Sequence, residues 1–491
     1  MSSKGNPVVD LKFDIPDHGL QYVGSSRIDG PMLVVNRVRD VGYDETVEIL
    51  DAAGRRRLGR VLDVSDTAAV VQVLEGTTGL SNEKVQTRFL GESFRLPVSR
   101  SMLGRVFDGL GRPVDGSPPA LSADLRDING LPINPHARRY PREFIQTGVS
   151  AIDGLNSLVR GQKLPIFSGA GLPHDRMAAQ IVRQARLLEE AVEFSIVFAA
   201  MGVKHDVAEF FIRNFENSGV LSRVTMFLSL ADAPSVERML TPRAASTLAE
   251  YLAFDCGQHV LVLLTDMTNY CESLREVGTA RGEIPGRKGY PGYLYSDLAS
   301  VYERAGRIEG SPGSITQMAI LTMPSDDISH PVPDLTGYIA EGQIVLDREL
   351  NHRGVYPPVA ALMSLSRLMK DGVGKGYTRE DHPKLASQLF ACYARVRQVR
   401  GLADVIGEEE LGTLDKKYLE FGNAFEHRFL AQGEYENRSI ETTLGIGWDI
   451  LSMLPRDELH RLSDDILDKY YRGKAEAKAD PKPLPEPRDI Q

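Results

Sequence analysis

Between Pro31 and about Leu90, short apolar and β-branched runs (MLVVNRV, TVEIL, RRLGRVLDV, AAVVQVL) alternate with Gly and Asp turns such as DAAG. Runs of this length punctuated by turn residues predict a small self-contained sheet or barrel. From Phe107 to Pro141 the periodicity lapses and Gly and Pro accumulate (DGLGRPVDGSPP, NGLPINP), which predicts an ordered connection beyond a boundary near Glu92. Past Thr147 the pattern becomes apolar strand followed by amphipathic helix. LPIF (Leu164 to Phe167) leads through a Gly/Pro loop to a helix from about Asp175, with Ala178, Ile181, Val182, Ala185 and Leu188 on one face. FSIVFAA precedes a helix near Asp206, VTMFLSL one around Ser235, and HVLVLLTD one at Met267. Strands with crossover helices imply a parallel sheet covered on both faces. After Asp381 the strand signal fades, and the long periodic segments HPKLASQLFACYARVRQVRGLADVIG, DKKYLEFGNAFEHRFL and SIETTLGIGWDILSML predict a helical bundle. The final KAEAKADPKPLPEPRDIQ is charged and proline-rich, the composition of a disordered tail. The expected domains are therefore an N-terminal β-domain at 1–91, a central α/β domain at 92–380, a C-terminal helical domain at 381–472 and a tail at 473–491.

Length agrees with this division, since 491 residues suggest about three domains. With 42% hydrophobic and 25% charged residues the chain has material for a core in each, which excludes wholesale disorder. A formal net charge of -10 provides no overall basic field for nucleic acid or anionic lipid, so no nucleic-acid partner is expected. Cys256, Cys271 and Cys392 lack metal-ligand spacing and read as reduced packing residues of a cytoplasmic protein. The start MSSKGNPVVDLKF has no signal-peptide core, and no apolar run approaches the roughly 18 residues of a membrane span. Any membrane role is expected to come through partners, without direct membrane contact.

Ligands in α/β domains bind at the carboxyl ends of strands, which directs attention to the loop after LPIF. It reads SGAGLPHDR. Set against the phosphate-binding pattern GxxxxGK[ST], the run Ser168, Gly169, Ala170, Gly171, Leu172, Pro173, His174, Asp175 departs at Ser168, Pro173, His174 and Asp175. Pro173 has no N–H for a phosphate, and His174 replaces an ammonium. Asp175 replaces the hydroxyl that would hold magnesium and places an anion at the helix N-terminus, while also serving as an ordinary N-cap. The run ending at Asp266 has the form of a strand that delivers a carboxylate to a magnesium nucleotide; capping of the helix TNYCESLREV is the structural alternative. After FSIVFAA, where a water-orienting acid is wanted, the nearest acids are Asp206 and Glu209, which read as first-turn helix residues. No metal site is expected.

The strings RGQKLPIFSGAGLPHD, FAAMGV, VLVLLTDMTNYCESLREVG, EIPGRKGYPGYLYSDLASVYERAGRIEG, PDLTGYIAEGQIVLDREL and SLSRLMKDGVGKGYTREDH, with IDGPMLVV, EGTTGL and FIQTGVSAIDGLN before them, resemble the B subunit of V/A-type rotary ATPases from about Ile28 to about Tyr471. SGAGLP in place of a phosphate loop distinguishes that subunit from its catalytic A partner. The resemblance implies an N-terminal β-barrel, a central RecA-type P-loop NTPase-like domain with a parallel sheet, and a C-terminal α-helical bundle. It also implies a non-catalytic, regulatory subunit in an alternating hexameric ring with catalytic A chains, beside central rotor stalk and peripheral stator subunits. In that family the Arg of SLSRLM, here Arg367, projects in trans toward the ATP or ADP phosphates, with magnesium, at the interface with the A subunit. No tight nucleotide binding by this chain alone is expected. Met363 stands where the family usually has Pro. The loop Glu283 to Gly292 resembles a segment near the rotor, where Arg287 and Lys288 either meet an acidic rotor surface or remain solvated turn charges. Arg304, in YERAGR, is expected to be a charge outside the site whose loss matters less than that of Arg367. The competing functions are a self-sufficient hexameric NTPase motor, which would need an intact phosphate loop, and a purely structural ring spacer, which leaves SLSRLM unexplained.

Overall fold

The computed structural model describes residues 20–120, 124–188 and 193–472, so the expected tail at 473–491 lies outside the described residues. They fall into two compact units: one within Met1–Pro141, Val159–Arg183 and Glu189–Gln343, the other within Arg142–Leu158, Gln184–Leu188 and Ile344–Gln491.

In the first unit, seven antiparallel strands form a curled sheet. They are Leu20–Val23, Arg27–Asp29, Met32–Asn36, Glu45–Leu50, Arg56–Val64, Ala68–Val73 and Gln86–Ser93, arranged in the order first, seventh, fourth, fifth, sixth, third, second. Leu33, Val35, Val47, Ile49, Val61, Val71 and Phe89 from alternate positions share one buried core, the expected outcome of period-two patterning. Gly59 is required at the tightest point of this core, because a Cβ there would lie 2.7 Å from Val71 Cγ1 and 2.9 Å from Ile49 Cδ1.

The same unit holds a parallel sheet in which Val106–Asp108, Val224–Leu230, Phe194–Val203, His259–Thr265, Ser314–Met323 and Ile166–Gly169 lie side by side in that order. Four of the six are the anticipated strands. Val106–Asp108 comes from the stretch expected to be a connection. Ser314–Met323 is a ten-residue strand that the periodicity reading passed over, though it separates the phosphate-loop strand from the strand ending beside Asp266. The helices His205–Asn217, Ser235–Glu250 and Met267–Ala280 follow their strands as expected.

Two local expectations are corrected. The first helix runs His174–Gln184 and stops before Leu188, which is 42% exposed, because Arg186–Leu187 instead pair with Ile145–Gln146 in an antiparallel ladder. Arg304 lies beyond the helix Leu294–Tyr302 and is buried. Its Nε and one terminal nitrogen donate to Glu250 at 2.6 and 2.7 Å, and its other bonds go to the Ile128 and Arg243 carbonyls and to Thr247 Oγ1. A charge so enclosed belongs to the scaffold, so its removal is a structural perturbation rather than a mild charge loss.

The long helices of the second unit are His382–Ile406, Thr413–Ala424 continued by Phe425–Leu430, and Ile440–Leu451. Tyr393 stacks on Phe425 at 4.4 Å, and Phe425 on Phe429 at 5.4 Å. Among the described residues no helix is long and apolar enough to cross a membrane.

Candidate functional site

The loop at Ser168–Asp175 emerges from the carboxyl end of Ile166–Gly169, the position where an open α/β sheet receives a ligand. Its polar groups face one another. The Leu172 N–H donates to the Gly169 carbonyl at 3.1 Å, and the His174 N–H donates to the Leu172 carbonyl at 2.8 Å. Pro173 has no N–H at all. Ser168 is fully buried, and its Oγ shares a 3.0 Å hydrogen bond with His174 Nδ1. A phosphate cradle needs loop N–H groups turned outward toward the anion; here two are consumed inside the turn and a third is missing.

Charge acts in the same direction. The helix begins at His174, so Asp175 sits within its first turn and is not the N-cap that sequence suggested. Burial lifts the Asp175 carboxyl above the ordinary carboxylate range; His174 pulls it back, while the Asp266 and Asp206 charges push it further up. A nucleotide phosphate brought to this mouth would meet three carboxylates and no loop lysine. The residues present therefore do not fit a magnesium nucleotide held as a phosphate loop holds one. Among the described residues no cluster of His, Cys, Asp and Glu could hold a metal ion.

Asp266 is the N-cap of Met267–Ala280: its side chain accepts from the Thr268 N–H at 2.8 Å and also from the Thr322 N–H at 3.1 Å on the neighbouring strand. The capping alternative thus has its geometry. Asp206 lies in the first turn of its helix, as expected, whereas Glu209 falls in the next turn, where it pairs with Arg213.

Arg367 belongs to the second unit. The segment Ser364 to Leu368 alternates strictly, with Ser364, Ser366 and Leu368 buried and Leu365 and Arg367 exposed. Ser364 Oγ donates to the Ala360 carbonyl at 2.9 Å and accepts the Val345 N–H at 2.9 Å. Ser366 Oγ donates to the Ser157 carbonyl at 2.9 Å. Two buried hydroxyls thereby hold the inward face, and the outward face carries a guanidinium beside Leu365 (52% exposed), with Met363 (47%) just before the segment. The arginine thus stands among exposed apolar side chains on the outward face. The serine moorings escaped the sequence reading, although the small-polar and bulky alternation of SLSRL was their signal.

Near the loop Glu283 to Gly292, Arg287 donates to Asp334 at 3.0 Å and to the Ser329 carbonyl at 2.8 Å, and Lys288 donates to Asp327 at 3.1 Å. Both cations are engaged within the chain.

Three family models match in succession: the ATP synthase alpha/beta family beta-barrel domain over residues 25–91, that family's nucleotide-binding domain over 148–366, and the C-terminal domain of V and A type ATP synthase over 371–471. The chain is 61% identical over 462 residues to V-type ATP synthase beta chain 2 of Treponema pallidum, covering 94% of this chain and 96% of that protein. It is 60% identical over 451 residues to the B subunit of the A-type ATP synthase of Aeropyrum pernix, covering 92% and 97%. Among solved structures, an ATP synthase subunit from Nanoarcheaum equitans superposes with a TM-score of 0.69 at 40% identity, covering 87% of this chain and all of that one.

Proposed function

The chain belongs to the family of V- and A-type ATP synthase B subunits, and from that premise we propose that it is the non-catalytic, regulatory member of an alternating hexameric ring, lending Arg367 in trans to a neighbouring catalytic A subunit. The observation that carries this reading is the loop at 168–175, where the Leu172 and His174 N–H groups are spent inside the turn and whose mouth holds carboxylates where a phosphate site needs cations. Nucleotide chemistry then falls to the A subunit, where ATP or ADP is bound with magnesium. An arginine is always charged and can bridge two phosphate oxygens, so one delivered across an interface stabilises the charge that develops during phosphoryl transfer. The remaining surfaces serve the assembly: the barrel contributes to a collar, and the other domains relay changes between the A sites and the central rotor, with stator subunits outside. On this reading the complex is peripheral to the cytoplasmic face of a membrane and couples ATP turnover to ion transport.

The test begins with the purified chain. It should show no ATP turnover above background and at most weak magnesium-nucleotide binding, and on mixing with its A subunit it should give an alternating ring by native mass measurement. Sustained hydrolysis by the chain alone, after removal of contaminating ATPases, would restore the self-sufficient motor.

A further inference from the structure

Ser366 is buried, and a hydroxyl in that position has to find a partner; it finds the carbonyl of Ser157, 209 residues earlier in the chain. Ser157 is itself fully buried and fixed by its own hydroxyl, which donates to the Asp153 carbonyl at 2.6 Å. Asp153 in turn accepts from the Thr147 N–H at 2.9 Å, the Thr147 hydroxyl at 2.7 Å and the Gly148 N–H at 2.8 Å. A continuous set of buried hydrogen bonds thus runs from Thr147 to the residue immediately before Arg367. Burial alternates from Ser364 to Leu368 through the short strand Leu365–Ser366, so fixing which way Ser366 points also constrains which way Arg367, the residue that follows the strand, leaves the surface.

We infer that Ser366 is a positioning residue for Arg367: its bond to the Ser157 carbonyl sets the direction in which the guanidinium is presented to the neighbouring subunit's nucleotide. The inference rests on the arginine reading above. A buried serine kept only for packing would do as well as alanine, whereas a positioning serine acts through the arginine alone. Displacements of about 1 Å at a reacting centre cost up to two orders of magnitude in rate, so loss of the mooring should be felt in kcat even though Ser366 touches no substrate.

The experiment uses rings reconstituted with the catalytic A subunit, each checked for assembly by native mass measurement. Ser366→Ala should lower kcat roughly ten-fold with KM nearly unchanged. Ser366→Thr, which keeps the hydroxyl, should recover most of the rate. In an Arg367→Ala background the same Ser366→Ala change should cost nothing further, because the group it positions is gone. Should the alanine ring fail to assemble, Ser366→Cys keeps the volume but only a weak donor, and carries the same measurement. The inference is overturned if Ser366→Ala turns over normally while Arg367→Ala is crippled, or if the two losses multiply. A normal rate for Arg367→Ala instead overturns the arginine reading itself, and the positioning role falls with it.

Discussion

The loop at 168–175 and the segment at 364–368, which holds the short strand Leu365–Ser366, are both brief stretches, yet their polar groups are deployed in opposite directions. In the loop, N–H groups close on carbonyls of the same turn, Ser168 is sealed against His174, and burial lifts the Asp175 carboxyl. In the segment at 364–368, two serines spend their hydroxyls on the interior so that Arg367 faces out. Under the function proposed above, the contrast is between a loop that spends its polar groups on itself and a cation offered to a phosphate held by the neighbouring subunit.

The strongest way to break this comparison is Arg367→Ala in the assembled ring. Turnover should fall by roughly 10³-fold or more, equivalent to about 4 kcal/mol of transition-state stabilisation, with assembly retained. Lysine should rescue poorly, because a compact ammonium cannot reproduce a planar two-point contact. The proper control is Arg213→Ala, an exposed charge paired with Glu209, which should leave the rate near wild type. Near-normal turnover of the Arg367→Ala ring would leave the segment a spacer.

Arg304 sharpens the point from the other side, because the same guanidinium buried against Glu250 has a structural task. Arg304→Ala should destabilise the isolated chain by about 3 kcal/mol or more, since it strands a carboxylate and two carbonyls. Thermal melting of the chain alone reads this out. An unchanged melting temperature would mean that burial does not distinguish the two arginines.

A third measurement uses pH to probe the packing behind the mooring of Ser366. His382 is buried, and its Nε2–H donates to the Gly154 carbonyl at 3.1 Å while Nδ1 lies 3.0 Å from Thr378 Oγ1. Burial lowers its pKa from 6.5 to about 4, against the bond to Gly154 and the Asp381 charge, while Arg379, itself paired with Asp381, assists the lowering. The unfolded chain therefore takes up a proton that the folded chain refuses. Stability from this group is complete above about pH 6.5 and is lost as pH falls through about 4, by about 3 kcal/mol. Gly154 belongs to the segment that carries Ser157, so amide protection across 147–157, after correction for the slower intrinsic exchange in acid, should fall between pH 6.5 and 4.5 through this group, against the opposite response of Asp153, whose carboxyl burial pushes up to about 7. His382→Gln should flatten that pH dependence, and an unaltered profile in the variant would assign the acid response to another group.

The sequence showed the strand-to-helix alternation clearly, because each strand is a continuous apolar run followed by a distinct helical period. It also exposed the missing phosphate-loop residues, since absent chemistry at fixed spacing is a local property. Ser314–Met323 carries no such signal, because its SITQMAILTM run has neither clean alternation nor a long helix after it to mark it as a repeat of the pattern. The first helix ends at Gln184 although its helical period continues to Leu188, because the pairing of Arg186–Leu187 with Ile145–Gln146 outweighs that period. The burial of Arg304 and the mooring of Ser366 depend on partners 54 and 209 residues away, a separation that no local window spans. What is legible in sequence is chemistry set by neighbours along the chain; what is not is chemistry set by neighbours across the fold.

The smallest expected effect comes from rebuilding the loop. The triple change Pro173→Gly, His174→Lys and Asp175→Thr restores an N–H, an ammonium and a hydroxyl at the positions where GxxxxGK[ST] requires them. It also removes the carboxylate whose proton affinity the nearby Asp266 and Asp206 raise. A full conversion is not expected, because the Leu172 N–H donates to the Gly169 carbonyl and Asp206 and Asp266 stay in place. One added charge-assisted contact is worth about 1.5 kcal/mol or somewhat more, so magnesium-ATP affinity of the isolated chain should rise by about ten-fold, and by less for Asp175→Asn alone. Titration with a fluorescent ATP analogue in magnesium measures both. Equal binding by the wild-type and rebuilt chains would mean that the inward-facing amides, not the three substituted side chains, set the loop's indifference to phosphate.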